Sequence, residues 1–161
     1  MDCFSQERDR KNFSKLKIGA LPGLETNIGS FSRQRGTEIS QVIGWYIARG
    51  LAVGPGAGIV TYISPNITTI PVYGSLNYTP HADLSGPAVY GNLGYAIATN
   101  RNTSGGIVAE AGIGWKFRLG QWSRIGPEVG YRLQGYGLNY GNLGSMDYKL
   151  KSLSIGVVLN Y

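Results

Sequence analysis

Residues 107–119 read IVAEAGIGWKFRL, and their alternation decides how the rest of the chain is read. Taken with period two, one side carries Ile107, Ala109, Ala111, Ile113, Trp115, Phe117 and Leu119, and the other carries Val108, Glu110, Gly112, Gly114, Lys116 and Arg118. Successive side chains of a β-strand point to opposite faces, so this is a strand with one apolar and one charged face. RIGPEVGYRLQ (124–134) repeats the split: Ile125, Pro127, Val129, Tyr131 and Leu133 stand against Arg124, Gly126, Glu128, Gly130, Arg132 and Gln134. SLSIGVVLNY (152–161) sets Leu153, Ile155, Val157, Leu159 and Tyr161 against Ser152, Ser154, Gly156, Val158 and Asn160. Over the three segments the first face holds 17 residues and no charge, and the second holds 17 residues and six charges. At the chain's 15% charge content each face should hold about two or three.

Working outward, the same texture covers most of the 161 residues. There are 25 glycines, and Gly and Pro recur so often after Gly19 that an ordinary helix has almost no room. Strands are expected at 14–31, 37–48, 51–63, 70–80, 87–99, 106–119, 122–137 and 147–161, eight in all. The connections Arg49-Gly50, Thr79–Gly86 and Gly120-Gln121 are tight or turn-like, and they alternate with longer ones at 32–36, 64–69, 100–105 and 138–146. An antiparallel up-and-down meander has that alternation. Residues 1–13 (MDCFSQERDRKNF) lack β periodicity and read as a flexible tail before a single domain at 14–161.

Two all-β barrels fit such faces: a soluble one with the apolar side inward, and a membrane one with it toward lipid. Composition favours the second. A soluble exterior needs roughly 25–35% charged residues, whereas here the polar face is rich in glycine and, in the last strand, has no charge. Turned inward, the glycines make room in an eight-stranded barrel that is only wide enough for side chains to fill. Glu110, Lys116, Arg118, Arg124, Glu128 and Arg132 would then form a charge-paired network that plugs the lumen, leaving no open diffusion pore. Lys149 and Lys151 share the outward parity but precede the apolar stretch that ends at Tyr161, and so would sit beyond the lipid. Trp45, Phe117 and Trp122 near the tight turns, and Tyr62, Tyr136, Tyr140 and Tyr148 near the longer loops, are expected as interfacial aromatics.

Several chemistries fall away. A lone Cys3 and a lone His81 cannot form a disulfide or a Cys/His metal site, and no cofactor motif is present. The net charge of +6 is scattered, so no nucleic-acid partner is expected. No run of 18 apolar residues could form a spanning helix, and Met1–Lys17 has eight charges and no apolar core of a signal peptide. His81, Asp83 and Ser85 in TPHADLSG name a nucleophile, a base and an orienter, but such residues are ordinary in turns and a triad is identified by geometry. The GPGAG run (54–58) lacks phosphate-loop spacing and is read as close strand packing. YGNLG occurs at 90–94 and 140–144, once in an expected strand and once in a loop, and is read as chance recurrence. The four Asn-X-Ser/Thr sites and Cys3 carry no message, Cys3 being read as a free thiol in the tail.

GLAVGPGAGIVTYI (50–63) followed by IPVYGSLNY (70–78), EAGIGWKFRLG (110–120) and the terminal LSIGVVLNY (153–161) resemble the small outer-membrane β-barrel proteins of Gram-negative bacteria, the OmpA-like transmembrane barrel domain. The resemblance spans about residues 14–161. It implies an outer-membrane location in a lipid bilayer, and tight turns on the periplasmic side with longer loops outside. It also implies that Leu153, Ile155, Val157, Leu159 and Tyr161 form the terminal strand signal read by the barrel-assembly machinery. Family members normally begin with a secretory signal, which is absent from this sequence as written. The anchoring role of an appended peptidoglycan-binding domain is not carried over. The function expected is that of a non-enzymatic structural or surface-interaction protein, with its exposed loops meeting any partner. The alternatives are a soluble lipocalin-like barrel whose Trp115, Phe117 and Tyr131 line a ligand pocket, and a lipid-modifying outer-membrane enzyme.

Overall fold

A computed structural model describes residues 12–26, 35–63, 66–81, 84–100, 103–139 and 145–161. They form β1 (Asn12–Thr26), β2 (Arg35–Ala48), β3 (Leu51–Tyr62), β4 (Ile67–Tyr78), β5 (Gly86–Ala98), the two-residue β6 (Thr103–Ser104), β7 (Gly106–Arg118), β8 (Arg124–Asn139) and β9 (Ser145–Asn160). Long strands that are neighbours in sequence pair antiparallel, and β9 pairs with both β8 and β1, so eight strands close a barrel. Closure leaves no strand edge among the eight, the condition for a sheet to stand in hydrocarbon.

The eight expected strands are all present, with ends displaced by a few residues. β1 starts at Asn12, and the end of its expected span, from 27, lies outside the described residues, as does most of the expected tail (1–11). The ninth element, β6, was not expected. It continues the line of β7 along β8, but Ser104 faces Gly137 whereas Val108 faces Gln134, so the register slips by one residue between them. Gly105 and Gly106 occupy the slip; a Cβ on Gly106 would stand 2.3 Å from the Gly135 carbonyl oxygen, which admits only glycine.

The tight turns close as the sequence suggests. Gly50 has φ +73°, the left-handed region that glycine takes without steric cost, and its carbonyl accepts the Thr79 N–H at 2.8 Å. In TPHADLSG the Leu84 N–H donates to the His81 carbonyl at 3.0 Å, with Leu84 at φ 57°. This is a turn; His81 is exposed, and Asp83 lies outside the described residues.

Which face is inside follows from burial. Ile18, Ile39, Ile43, Ile113, Trp115, Phe117, Tyr131 and Val157 are all about half exposed, whereas Glu38, Glu110, Glu128 and Arg132 are buried. A pocket lined by Trp115, Phe117 and Tyr131 is therefore ruled out: those rings are on the outer surface. The described charges on the outside are Arg35, Lys149 and Lys151 toward the longer-loop end and Arg49 and Arg118 at the tight turns. At the other end Trp45, Tyr78, Trp115, Phe117, Trp122 and Tyr161 stand exposed close to the tight turns. Tyr62 and Tyr136 depart from expectation. Both point inward and are buried, because each has the parity of the lumen face of its strand. Tyr140, and the side chain of Tyr148, lie outside the described residues.

Candidate functional site in the barrel lumen

The inward positions stack in layers set by strand register. Near the longer-loop end Leu21, Val60, Tyr62, Ile67, Tyr136 and Leu150 form an apolar cluster. Nearer the tight turns Phe13, Val42, Ala52 and Tyr73 form another, with Tyr46 packed against Phe13. Glycines on neighbouring strands let the large rings lie across the lumen. A Cβ on Gly130 would stand 2.4 Å from the Tyr90 hydroxyl, and one on Gly56 would stand 2.4 Å from the Tyr73 ring. GPGAG thus packs closely inside β3, as its sequence suggests.

A polar centre is built from six strands. Lys17 Nζ on β1 lies 2.7 Å from Glu38 Oε1 on β2 and 2.5 Å from Glu110 Oε1 on β7. Arg132 Nη1 on β8 meets Glu38 Oε2 at 2.7 Å and Glu110 Oε2 at 3.4 Å. Lys17 also donates to Ser154 Oγ at 2.6 Å; that hydroxyl donates to Glu38 Oε1 at 2.8 Å, and the Tyr90 hydroxyl donates to Glu110 Oε1 at 2.8 Å. Two cations face two carboxylates, so the layer is neutral. That neutrality, with hydrogen bonds on the remaining lone pairs, is what lets charges stay buried.

Toward the tight turns Lys15 Nζ pairs with Glu128 Oε1 at 2.7 Å and donates to Asn77 Oδ1 at 3.1 Å. Lys116 donates to Thr79 Oγ1 at 3.1 Å, and Arg124 is buried at the same end. Toward the longer loops, Gln134 Nε2 donates to Thr69 Oγ1 at 3.1 Å.

Of the six charges named from sequence, Glu110, Lys116, Arg124, Glu128 and Arg132 are placed in the lumen. Arg118 is not. It has the right parity but occupies the last rung of β7, opposite Arg124, where it is exposed, with its Nε donating to the Gly120 carbonyl at 3.3 Å within the hairpin. Lys15, Lys17 and Glu38 were missed, although they hold most of the ion pairs. The signal was present: Lys15 and Lys17 alternate with Leu16 and Ile18, and Glu38 has the parity opposite to Ile39, Ile43 and Trp45. The terminal-strand residues Leu153, Ile155, Val157, Leu159 and Tyr161 share the outward face of β9, the strand that closes the barrel against β1. Among the described residues no group of three or more His, Cys, Asp or Glu side chains could hold a metal ion.

No family model matches the sequence, and no curated protein matches it. Solved structures do. The outer membrane enzyme PagL is 18% identical with a TM-score of 0.59, over 89% of this chain and 97% of that one. The outer membrane protein OprG from Pseudomonas aeruginosa is 13% identical with a TM-score of 0.57, over 94% and 96%. The N-terminal β-barrel domain of Pseudomonas aeruginosa OprF is 14% identical with a TM-score of 0.55, over 94% and 98%. At such identities the likeness is one of fold, and it extends over nearly the whole of both chains. The protein has the fold of the small eight-stranded outer-membrane β-barrels.

Proposed function

We propose that this chain is an integral β-barrel of a Gram-negative outer membrane, a structural or surface-interaction protein whose lumen is closed to diffusion. One observation carries the reading: described charge on the outside is confined to the two rims, Arg35, Lys149 and Lys151 toward the longer loops and Arg49 and Arg118 at the tight turns, while acids and bases pair inside. Water on the outside would favour the reverse, and a cation at the bilayer midplane of a barrel costs about 2–4 kcal/mol. The exposed aromatic residues near the tight turns fit an interfacial girdle. Side chains of the two apolar clusters and the ion-paired layer between them would plug the lumen. The neighbouring outer-membrane barrels support the location by their fold.

The tight turns would then be periplasmic, and the connections at the other rim would carry any partner contact. Leu153 to Tyr161 would serve as the strand read by the assembly machinery. No catalytic residue, metal or cofactor is assigned. The test is gel mobility in SDS with and without boiling after refolding into detergent micelles. A heat-dependent shift, with no soluble fraction in detergent-free buffer, is expected. A soluble monomer in plain buffer without such a shift would overturn the reading.

A further inference from the structure

Charge does not balance evenly along the lumen. The central layer sets Lys17 and Arg132 against Glu38 and Glu110, with nothing left over. Toward the tight turns Lys15, Lys116 and Arg124 are all buried, and Glu128 is the one acidic side chain described at that end. Glu128 Oε1 takes Lys15 at 2.7 Å. Its other oxygen, Oε2, is buried without a hydrogen-bond partner among the described residues, so Lys116 does not use it. Lys116 is 7% exposed and gives its Nζ to a neutral acceptor, the Thr79 hydroxyl, at 3.1 Å. The charges that act on it are Lys15, Arg124 and Glu128, two of the three repulsive. The imbalance stands on Lys116 alone, since Arg124 makes contacts of its own. A buried ammonium held by one neutral oxygen is costly until a counter-charge joins it.

A second group points into the same end. Asn160 on β9 is 8% exposed, and its Nδ2 has no hydrogen-bond partner among the described residues. It has the parity of the lumen and lies opposite Lys15 on β1 and Arg124 on β8. Between β7 and β9 the inward residue of β8 next to Arg124 is Gly126, where a Cβ would stand 3.2 Å from Lys116 Cα. Having none, β8 puts no side chain between Lys116 and Asn160 at that rung. Both Nζ and Nδ2 offer only N–H groups. A cation would be repelled, and water would satisfy the amide while leaving the charge of Lys116 unmatched; an anion answers both.

We propose that the tight-turn end of the lumen is a binding site for a small inorganic anion of halide size, held between Lys116 Nζ and Asn160 Nδ2. The size follows from the eight-stranded barrel, whose interior is only wide enough for side chains to fill. Thr79 fixes the lysine from β4, and Lys15 and Arg124 add positive field. Arg49 and Arg118, exposed at the same rim, draw anions toward the site. The proposal needs only the lumen and goes beyond the membrane reading.

Wild type, Lys116→Met, Asn160→Leu and Arg118→Gln are refolded into detergent micelles and checked by the cold-SDS mobility shift. Each is then unfolded in urea while sodium chloride replaces sodium gluconate, a bulky anion, at a constant ionic strength of about 150 mM. Wild type is expected to show a saturable rise of the urea midpoint with chloride, as binding to the folded state produces. The apparent dissociation constant read from that curve should weaken at least about tenfold in Lys116→Met and in Asn160→Leu, and stay within about twofold in Arg118→Gln. Should one lumen variant fail to give the shift, the other carries the comparison. A folded wild type without chloride dependence, or a folded lumen variant with the dependence of wild type, overturns the inference. So does an Arg118→Gln protein that loses the dependence as fully as Lys116→Met, since general screening would then explain it. These outcomes leave the membrane reading intact, because the mobility shift is read separately. Wild type that is soluble without detergent and shows no shift overturns the membrane reading, and the same chloride curves in plain buffer still decide the site.

Discussion

Changing Glu110 to Gln tests the lumen at one of the two carboxylates that bind both Lys17 and Arg132. Glu110 takes Lys17 at 2.5 Å, Arg132 at 3.4 Å and the Tyr90 hydroxyl at 2.8 Å. Neutralising it leaves two buried cations facing Glu38 alone, and the layer changes from neutral to a net charge of +1. Breaking one partner out of a buried ion pair typically costs about 3–5 kcal/mol, because the stranded charge has no water to turn to. The tyrosine hydrogen bond should survive, since a Gln oxygen still accepts, and so the low end of that range is expected. Adding Lys17→Met to Glu110→Gln restores neutrality and leaves Arg132 on Glu38 at 2.7 Å. The double variant should therefore cost less than the sum of its two single variants, by about 1–3 kcal/mol of coupling. Urea unfolding from lipid vesicles, followed by fluorescence of Trp45, Trp115 and Trp122 on the outer surface, reads both numbers. A cost below about 1 kcal/mol for Glu110→Gln, or strict additivity in the double variant, would refute the account of the lumen as a set of mutually dependent charges.

Other outcomes follow from the same geometry. Ile113→Arg, placing a cation on the outer face of β7, should cost about 2–4 kcal/mol in vesicle unfolding, and Leu119→Arg, past the strand end, no more than about 1 kcal/mol; equal costs would remove the lipid belt. Gly130→Val should fail to give the cold-SDS shift, since its Cβ would meet the Tyr90 hydroxyl at 2.4 Å, whereas Gly74→Ala, with 3.9 Å of clearance, should fold as wild type. Arg118→Gln should leave the urea midpoint unchanged, because this exposed guanidinium bonds only within its own hairpin among the described residues. A lowered midpoint would return Arg118 to the lumen network.

The closed antiparallel barrel is legible from sequence because a period of two survives every tertiary detail: a strand that buries one face must alternate. Residues 107–119 and 124–134 declared their faces since each is long and has charges on one side only. β1 and β2 declared theirs less openly. Lys15 and Lys17 stand where a charged leader gives way to strand, and Glu38 is a single acid among Thr37, Ser40 and Gln41, so neither segment isolates a charged face by itself. Parity also does not report height. Tyr62 and Tyr136 looked interfacial because they lie near strand ends, yet at that rim the lumen turns apolar and encloses them. Arg118 departs in the opposite sense, with the parity of the lumen but a place on the last rung of β7, where its side chain is exposed. β6 escaped because a two-residue strand has no period to detect, and only its partner β8 defines it.

The seam between β1 and β9 governs how the molecule is made. Ser14 and Tyr161 exchange both backbone hydrogen bonds, at 2.9 and 3.0 Å, and Lys15 lies opposite Asn160, so the opening and closing segments of the barrel are zipped side by side. Until that zipper shuts, β1 and β9 each present a row of unmet amides and carbonyls that hydrocarbon cannot solvate. The loop it closes spans nearly the whole chain, and contacts so distant in sequence form slowly. Lys17 reaches Glu110 and Ser154 only across the finished circle, so the ion pairs reward completion and give little to a partial sheet. Closure is thereby made a single late commitment, and a chain that stops short of β9 would keep β1 and β8 as open edges rather than form a smaller barrel.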